Sequence, residues 1–299
     1  MRILVTGCNG MLGQKLQTTF SESRFDLFGM DLAANSLGGG PIENYFSQDL
    51  TIQKSTTDTI REINPDIIIH TAAMTGVDDC EIEKEKCWKT NVTATEHIVK
   101  AAKRTDSMVI YISSDYVFNG KDGPYSEDDL VDPISYYGKS KLAAENVVQG
   151  GLIDYTIVRS LVLYGHANRT KASFLTWLLG TLRAGKEVQI VNDQWGNTTL
   201  AEDLTSGILR IIELKKTGIY NIAGRDFLNR YEFACRAADY FGLDLDLIHP
   251  IATAELNQPA PRPLKSGLII DKAERDLGLS FRNLEDSFEL YKSQEEAVS

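Results

Sequence analysis

The sequence predicts an α/β protein in which a doubly wound parallel sheet is followed by a smaller α+β part. Apolar runs of strand length alternate with amphipathic segments of helix length over the first 165 residues, as expected for βαβ units. The runs nearest the N-terminus are almost continuous Val, Ile and Leu, which is typical of strands buried on both faces. Beyond residue 165 the alternation loosens. We therefore predict one domain over 1–165 and a second, smaller domain over 166–299, some segments of which return to the first.

The predicted elements follow from these patterns in chain order. Strands are predicted at Arg2–Thr6, Asp26–Met30, Ile67–His70, Met108–Ser113, Tyr155–Val158, Val188–Ile190 and Gly218–Ala223. Helices are predicted at Met11–Phe20, Ile52–Asn64, Glu83–Lys103, Tyr136–Gln149, Ser173–Gly185, Ala201–Leu214 and Tyr231–Phe241. Four of the eight prolines lie within Pro250–Pro263, so the tail from Asn257 is predicted to be an extended loop.

Composition and charge exclude several classes of function. A chain with 42% hydrophobic and 24% charged residues has ordinary globular composition. Its formal net charge of −11 is unfavourable for a general binder of nucleic acid or of anionic membranes. The four cysteines include no C-x-x-C pair and the four histidines lie far apart, so we expect no metal site. With no signal-like or membrane-spanning run in the sequence, we expect a cytoplasmic protein with free thiols.

The glycine-rich loop after the first strand predicts a dinucleotide site in a Rossmann-type sheet. The loop reads Gly7-Cys8-Asn9-Gly10-Met11-Leu12-Gly13 and runs directly into a predicted helix. Backbone N–H groups and the positive end of the helix dipole face a phosphate in such a turn. Gly7 permits the turn, Gly10 lets a pyrophosphate approach, and Gly13 lets the helix pack on the sheet. A plain glycine turn is the alternative, but the strand–turn–helix context favours the dinucleotide. The domain over 1–165 is therefore predicted to bind a dinucleotide, and the domain over 166–299 is predicted mainly to bind the substrate.

Two carboxylates extend the predicted dinucleotide site. Asp31 ends the second predicted strand, eighteen residues after Gly13, where a carboxylate accepts hydrogen bonds from the adenosine ribose hydroxyls. A carboxylate there repels a 2′-phosphate, so Asp31 favours NAD over NADP, although an exposed turn acid is the alternative. Asp49 and Leu50 end the next short segment, where they could bracket the adenine.

A tyrosine, a lysine and a serine predict carbonyl chemistry. Tyr137 and Lys141 are four residues apart in a predicted helix, so one helical turn places them on one face. A lysine ammonium lowers the pKa of a nearby phenol from ~10 and makes it usable in proton transfer near neutral pH. Ser114 follows the strand Met108–Ser113 at the carboxyl edge of the sheet, where ligands bind. We therefore predict that Ser114 binds a carbonyl oxygen that Tyr137 protonates.

Taken with their order in the chain, these residues resemble the extended short-chain dehydrogenase/reductases, and within them the dTDP-4-dehydrorhamnose reductases. The resemblance covers roughly residues 1–290 and is carried by the glycine loop, Asp31 and five later segments. These segments are Thr71-Ala72-Ala73-Met74-Thr75-Gly76-Val77-Asp78 followed by Asn91, Ser113-Ser114-Asp115-Tyr116-Val117-Phe118-Asn119-Gly120, Tyr137-x-x-x-Lys141, Asp193-Gln194-Trp195-Gly196, and Arg262-Pro263-Leu264-Lys265-Ser266-Gly267-Leu268.

The resemblance implies a reductase of a nucleotide-linked 4-keto-6-deoxy sugar that uses NAD(H) or NADP(H). In that family pattern Tyr137 donates a proton, Lys141 binds the nicotinamide ribose, and Ser114 orients the carbonyl. Asp115 and Tyr116 contact the sugar, and Arg262 grips the substrate diphosphate. The remaining cofactor contacts implied by the pattern are Asn9, Met11, Leu12, Ala72, Ala73, Met74 and Asn91. The resemblance is compatible with a homodimer.

Two departures from the family pattern keep other functions open. Val162 stands where the family usually has a tryptophan lining the sugar pocket, and Thr198 stands where it has a proline. The segment Val162-Leu163-Tyr164-Gly165 is also similar to the non-catalytic regulatory subunits of methionine adenosyltransferase, so an NAD(P)-binding subunit without turnover is an alternative. An epimerase or dehydratase on the same fold is a third reading, which Tyr116 in place of a glutamate after Asp115 disfavours.

Overall fold

The computed structural model describes residues 1–21, 25–37 and 44–298, and its centre is a seven-stranded parallel sheet. The strands in chain order are β1 (Arg2–Thr6), β2 (Asp26–Asp31), β3 (Asn44–Ser47), β4 (Ile67–His70), β5 (Met108–Ser114), β6 (Tyr155–Ser160), β7 (Leu163–Tyr164), β8 (Val188–Val191), β9 (Trp195–Gly196), β10 (Thr199–Leu200), β11 (Gly218–Asn221), β12 (Leu228–Asn229) and β13 (Ile248–Ile251).

The order of the strands creates the crevice in which the candidate site lies. The central sheet runs β3-β2-β1-β4-β5-β6-β11, and every neighbouring pair in it is parallel. The chain moves outward in one direction from β1 and in the other from β4, so the loops after these two strands diverge. Ligands in open α/β sheets bind at such a reversal, outside the carboxyl ends of the strands.

Helices cover both faces of the sheet. They are α1 (Met11–Ser21), α2 (Gln53–Ile63), α3 (Val77–Ile82), α4 (Lys84–Trp88), α5 (Ala94–Thr105), α6 (Tyr136–Gln149), α7 (Phe174–Arg183), α8 (Ala201–Glu213), α9 (Arg230–Tyr240), α10 (Asp271–Leu277) and α11 (Leu284–Val298). One apolar cluster joins α1 and α8 to the sheet through Leu16 and Ile208. A second joins α2, α5 and α6 to the other face through Ile60, Ile98 and Val148. The predicted doubly wound α/β fold is therefore confirmed.

A third apolar cluster lies in the C-terminal half, where α7, α9 and α11 contribute Leu178, Phe233 and Phe288. β8 pairs there with β13 in a two-stranded sheet, so the strand predicted at Val188–Ile190 lies outside the central sheet. β11 takes the opposite course and pairs with β6 as the edge strand of the central sheet.

Two sequence expectations differ from the structure. The helix predicted at Glu83–Lys103 is interrupted by a π-helical turn at Lys89–Thr93, between α4 and α5. Single π-helical turns of this kind occur inside α-helices, and Asn91, which lies in this one, directs its side chain to the backbone of Met74 and to Ser140. The tail from Asn257 begins as a loop, as predicted, but it also contains the helices α10 and α11. α11 buries Leu284, Phe288 and Tyr291.

Within the described ranges, no helix is both long enough and apolar enough to cross a membrane. The four cysteines are free thiols.

Candidate active site

The glycine loop is shaped by close backbone contacts. Gly7 has a φ of +68°, and a Cβ on it would lie 2.7 Å from the backbone nitrogen of Ala72. A Cβ on Gly13 would lie 2.4 Å from the carbonyl oxygen of Gly7. Both positions therefore require glycine. Because α1 begins at Met11, the free N–H groups of its first turn open onto the crevice beside this loop.

A cleft of about 320 Å³, the first cleft, lies on the β2 side of the glycine loop. Its lining includes Gly7, Gly10, Asp31, Asp49, Leu50, Ala72 and Ala73. The Asp31 carboxylate accepts hydrogen bonds from Asn9 N at 3.0 Å and from Ala33 N at 3.3 Å, which fixes it at the rim. Asp49 Oδ1 accepts from the backbone and the hydroxyl of Thr51 at 2.8 and 2.7 Å.

A larger cleft of about 510 Å³, the second cleft, lies on the other side of the same loop. Its lining includes Gly7, Gly10, Met11, Leu12, Ser114, Asp115, Tyr116, Tyr137 and Val162. The two clefts share Gly7, Gly10, Thr71 and Ala73, so one elongated ligand could pass over the glycine loop from one to the other. The fold thus gathers the loop, the end of β5 and the start of α6 around one space.

Tyr137 carries its phenol at the second cleft, and its pKa differs from the sequence expectation. We expected Lys141 to lower this pKa. Burial instead raises the pKa of Tyr137 above its usual value, the negative charge of Asp115 adds to the rise, and a hydrogen bond with Ser114 opposes it. The phenol is therefore protonated at neutral pH. Its ring also meets Tyr116 edge-on, with centroids 5.4 Å apart.

Lys141 lies directly behind the cleft wall rather than in it. Its ammonium donates to Ile112 O at 2.7 Å and sits 4.3 Å from the centre of the Tyr111 ring. Burial lowers the pKa of Lys141 to about 7, although the Glu145 carboxylate acts in the opposite direction. Among the described residues, the cleft lining includes Ile112 and Tyr137 but not Lys141.

Five of the candidate cofactor contacts lie outside both cleft linings in the described part of the chain: Asn9, Gly13, Met74, Asn91 and Lys141. Asn91 is buried and bonds the backbone of Met74 in both directions, at 2.7 and 3.1 Å, and Ser140 Oγ at 2.9 Å. The side chain of Asn9 donates to Asn35 O and accepts from Leu37 N. Asn9 and Asn91 are therefore in positions to shape the loops that border the clefts.

Asp115 links the end of β5 to the C-terminal segment that contains Ser266. Its carboxylate accepts from Ser114 Oγ at 2.9 Å and from Ser266 Oγ at 2.6 Å. Burial raises the pKa of Asp115, while both hydroxyl bonds oppose that rise. Burial also raises the pKa of the neighbouring Tyr116 phenol to about 12.

Two arginines near the candidate site, Arg230 and Arg262, differ in whether they line the second cleft. Arg262 donates to Asp78 Oδ2 at 2.7 Å and to Ala260 O at 2.8 Å, and the described cleft linings do not include it. Arg230, at the start of α9, lines both the second cleft and an adjoining pocket of about 30 Å³. Sequence reasoning missed Arg230. Its local signal is only a helix start after the capping residue Asn229.

Val162 adopts an unusual backbone conformation at the boundary between the second cleft and the adjoining pocket. Its φ is +43°, which a β-branched residue seldom adopts. Its side chain lines both spaces, so the position usually occupied by tryptophan in the family pattern lies at this boundary.

These features define a Rossmann-type α/β protein whose clefts meet over a glycine loop, as in dehydrogenases and reductases that bind a nicotinamide cofactor. Residues 1–295 match the family described as "RmlD substrate binding domain". The chain belongs to this family, the dTDP-4-dehydrorhamnose reductase group of the extended short-chain dehydrogenase/reductases.

Relatives within the group carry different names. The chain is 32% identical to a dTDP-4-dehydrorhamnose reductase of Sinorhizobium fredii, over 96% of this chain and 95% of that protein. It is 28% identical to the spore coat polysaccharide biosynthesis protein SpsK of Bacillus subtilis, over 97% of this chain and 96% of that protein. It is 30% identical to methionine adenosyltransferase 2 subunit beta of Xenopus laevis, over 92% and 82%.

Solved structures agree with the family assignment. A dTDP-4-dehydrorhamnose reductase of Clostridium acetobutylicum superposes with a TM-score of 0.89 at 30% identity, covering 99% of this chain and all of that one. The Bacillus anthracis enzyme of the same name, in complex with NADP, superposes with a TM-score of 0.88 at 29% identity, covering 98% of this chain and 99% of that one.

Proposed function

We propose that this chain reduces the keto group of a nucleotide-linked 4-keto-6-deoxy sugar with NADH or NADPH. The observation that carries the proposal is that Tyr137, Ser114 and the glycine loop line one cleft. Relatives named dTDP-4-dehydrorhamnose reductase support the substrate class.

The residues around the two clefts suit a dinucleotide. The side-chain-free surface of Gly7 and Gly10, together with the first turn of α1, offers backbone N–H groups to a diphosphate. Asp31 at the rim of the first cleft suits the adenosine ribose. When bound, a reduced nicotinamide supplies a hydride to the keto carbon.

Proton delivery is the task of the chain itself. Because its raised pKa keeps Tyr137 protonated, the phenol can give its proton to the keto oxygen as the new C–H bond forms. Ser114 Oγ would bind the same oxygen after turning away from Asp115, to which it donates in this structure. Lys141 would support the reaction from behind Ile112 as a positively charged group.

Turnover of a panel of nucleotide-linked keto sugars with NADH and with NADPH tests the proposal. We expect cofactor oxidation with a 4-keto-6-deoxy sugar nucleotide and none with the corresponding free sugar. The absence of turnover with every sugar nucleotide, in a protein that still binds NADH tightly, would refute the reductase proposal.

Tight binding of NADH without turnover of any sugar nucleotide would favour a regulatory NAD(P)-binding subunit. The similarity to methionine adenosyltransferase 2 subunit beta and the replacement of the pocket tryptophan by Val162 support this second candidate. Ser114, Tyr137 and Lys141 together favour the reductase.

Asp31 is expected to set the cofactor preference. The wild type should prefer NADH, because a carboxylate held by Asn9 N repels a 2′-phosphate. Asp31→Asn keeps the size of the side chain and removes its charge. We expect this variant to lower the ratio of kcat/KM with NADH to kcat/KM with NADPH by about tenfold, equivalent to ~1.4 kcal/mol. A wild type that uses NADPH tenfold better than NADH would contradict the assignment.

Arg230, rather than Arg262, is proposed to bind the substrate diphosphate. We expect Arg230→Ala to raise KM for the sugar nucleotide by about tenfold or more, because a charge-assisted hydrogen bond is lost. Arg262→Ala should act mainly on stability, since it leaves Asp78 without its ion-pair partner. Steady-state kinetics and thermal melts of both variants separate these effects, and a larger KM change in Arg262→Ala would reverse the assignment.

A further inference from the structure

The segment of residues 166–173, here called the strap, connects β7 to α7, and its last three residues line the second cleft. At one end the His166 ring packs on Tyr291 with centroids 3.9 Å apart, and its Nε2 lies 3.0 Å from Tyr291 O. At the other end Ser173 caps α7 by accepting a hydrogen bond from Thr176 N at 3.2 Å. Asn168, Arg169, Lys171 and Ala172 between these ends are exposed.

One buried side chain fixes the middle of the strap to the glycine loop. Gln14 lies in α1 and is only 3% exposed. Its Nε2 donates to Asn168 O at 2.9 Å and to Asn9 O at 2.7 Å, and its Oε1 accepts from Asn168 N at 2.8 Å. All three bonds go to main-chain atoms. The glycine loop and the strap are therefore held at a fixed separation by a single amide.

The strap brings a lysine to the anion-binding side of the cleft. Lys171 lines the second cleft together with Gly10, Met11 and Leu12. Across the described residues, its ammonium has no hydrogen bond or ion pair. In a chain with a formal net charge of −11, an unpaired cation beside a helix N-terminus suits an anionic ligand.

We propose that Gln14 is a positioning residue that holds the strap so that Lys171 pairs with the diphosphate of the bound dinucleotide. The inference rests on the proposed nicotinamide cofactor and adds a ligand contact and its support. The diphosphate of the dinucleotide is favoured over that of a sugar nucleotide because Gln14 ties the strap to Asn9 of the glycine loop.

Binding of ADP-ribose and of adenosine tests the role of Lys171, because only ADP-ribose carries the diphosphate. Lys171→Ala should weaken ADP-ribose roughly three- to tenfold, leave adenosine unchanged, and reduce the salt dependence of the dissociation constant. Arg169→Ala is the matched control, because Arg169 is an exposed strap cation that is not part of the described cleft lining. Equal losses of ADP-ribose affinity in both variants would overturn the contact. So would a Lys171→Ala variant that loses affinity only for dTDP, the nucleoside diphosphate of the proposed substrate.

A double-mutant cycle tests whether Gln14 acts through Lys171. We expect Gln14→Leu to weaken ADP-ribose about as much as Lys171→Ala, and the double variant to be no weaker than Gln14→Leu alone. Additive losses would overturn the positioning role. Asn168→Pro offers a second route if Gln14→Leu does not fold, because it deletes the N–H that Gln14 Oε1 accepts.

Limited trypsin digestion reports the strap directly, because cleavage follows Arg169 and Lys171. NADH should slow this cleavage at least fivefold in the wild type and have little effect in Gln14→Leu. Protection that is equal in both proteins would contradict the proposal. A wild type that binds neither NADH nor ADP-ribose would instead refute the proposed cofactor.

Discussion

Replacing Tyr137 with phenylalanine is expected to lower kcat by roughly 10²–10⁴-fold, the usual contribution of a general acid. The change removes one hydroxyl from a ring that is otherwise held by packing against Tyr116. The dissociation constant for NADH should stay within about twofold of the wild-type value, because the glycine loop is unaffected. Single-turnover absorbance changes of NADH and equilibrium titration measure the two quantities separately.

Tyr136→Phe is the control for this experiment. Tyr136 is the preceding residue of α6, and its ring faces Trp88 at 6.3 Å instead of the second cleft. We expect its kcat to remain close to the wild-type value. A Tyr137→Phe variant that kept more than half of wild-type kcat would remove Tyr137 from the mechanism.

Lys141→Met is expected to act in opposite directions on stability and on activity. Lys141 is buried against Ile112 O and the Tyr111 ring without a carboxylate at ion-pair distance in the part of the chain described. A lysine whose pKa falls from ~10.4 to about 7 on folding destabilises the folded state by roughly 4 kcal/mol at pH 7, and an apolar side chain of similar length lacks this effect. We expect a gain of that order in the free energy of unfolding at pH 7. In the proposed mechanism kcat should fall by about 10²-fold or more, because the charge that supports Tyr137 is lost.

The stability gain of Lys141→Met is expected to depend on pH. The pKa of Lys141 is about 7 in the folded protein, against ~10.4 for an unperturbed lysine, so the unfolded chain binds more protons between these values. The destabilising contribution is complete below pH 7 and is relieved as the pH rises toward 10. Urea unfolding at pH 7 and pH 9 should therefore show a larger advantage of Lys141→Met at pH 7.

Lys139→Met is the matched control, since Lys139 lies two residues earlier on the same helix and is exposed. Its stability should differ little from the wild type at either pH. A Lys141→Met variant that is less stable than the wild type at pH 7 would contradict the argument from burial.

Much of the fold could be predicted from the sequence because its signals are local. β1 reads as a continuous apolar run because both of its faces are buried, and the glycine loop follows it without interruption. Ser114 and Tyr137 come together because β5 ends, and the helix α6 that follows it begins, at the carboxyl edge of the sheet.

Other features depend on contacts between distant segments. The proposal of Arg230 over Arg262 depends on Asp78, which lies 184 residues from Arg262 in the sequence and pairs with it in the fold. The direction of the Tyr137 pKa shift depends on how completely the surrounding side chains exclude water, and a Tyr-x-x-x-Lys spacing does not contain that information.

The edge strand β11 has a consequence for how this chain can be divided. It comes from residues 218–221, yet it completes the sheet whose other six strands lie before residue 161. A fragment ending at residue 165 would leave β6 with a free row of backbone donors and acceptors, and such exposed edges promote aggregation. The first 165 residues are therefore not a transplantable module. Fusion proteins, split reporters or recombination between relatives should keep residues 1–221 together.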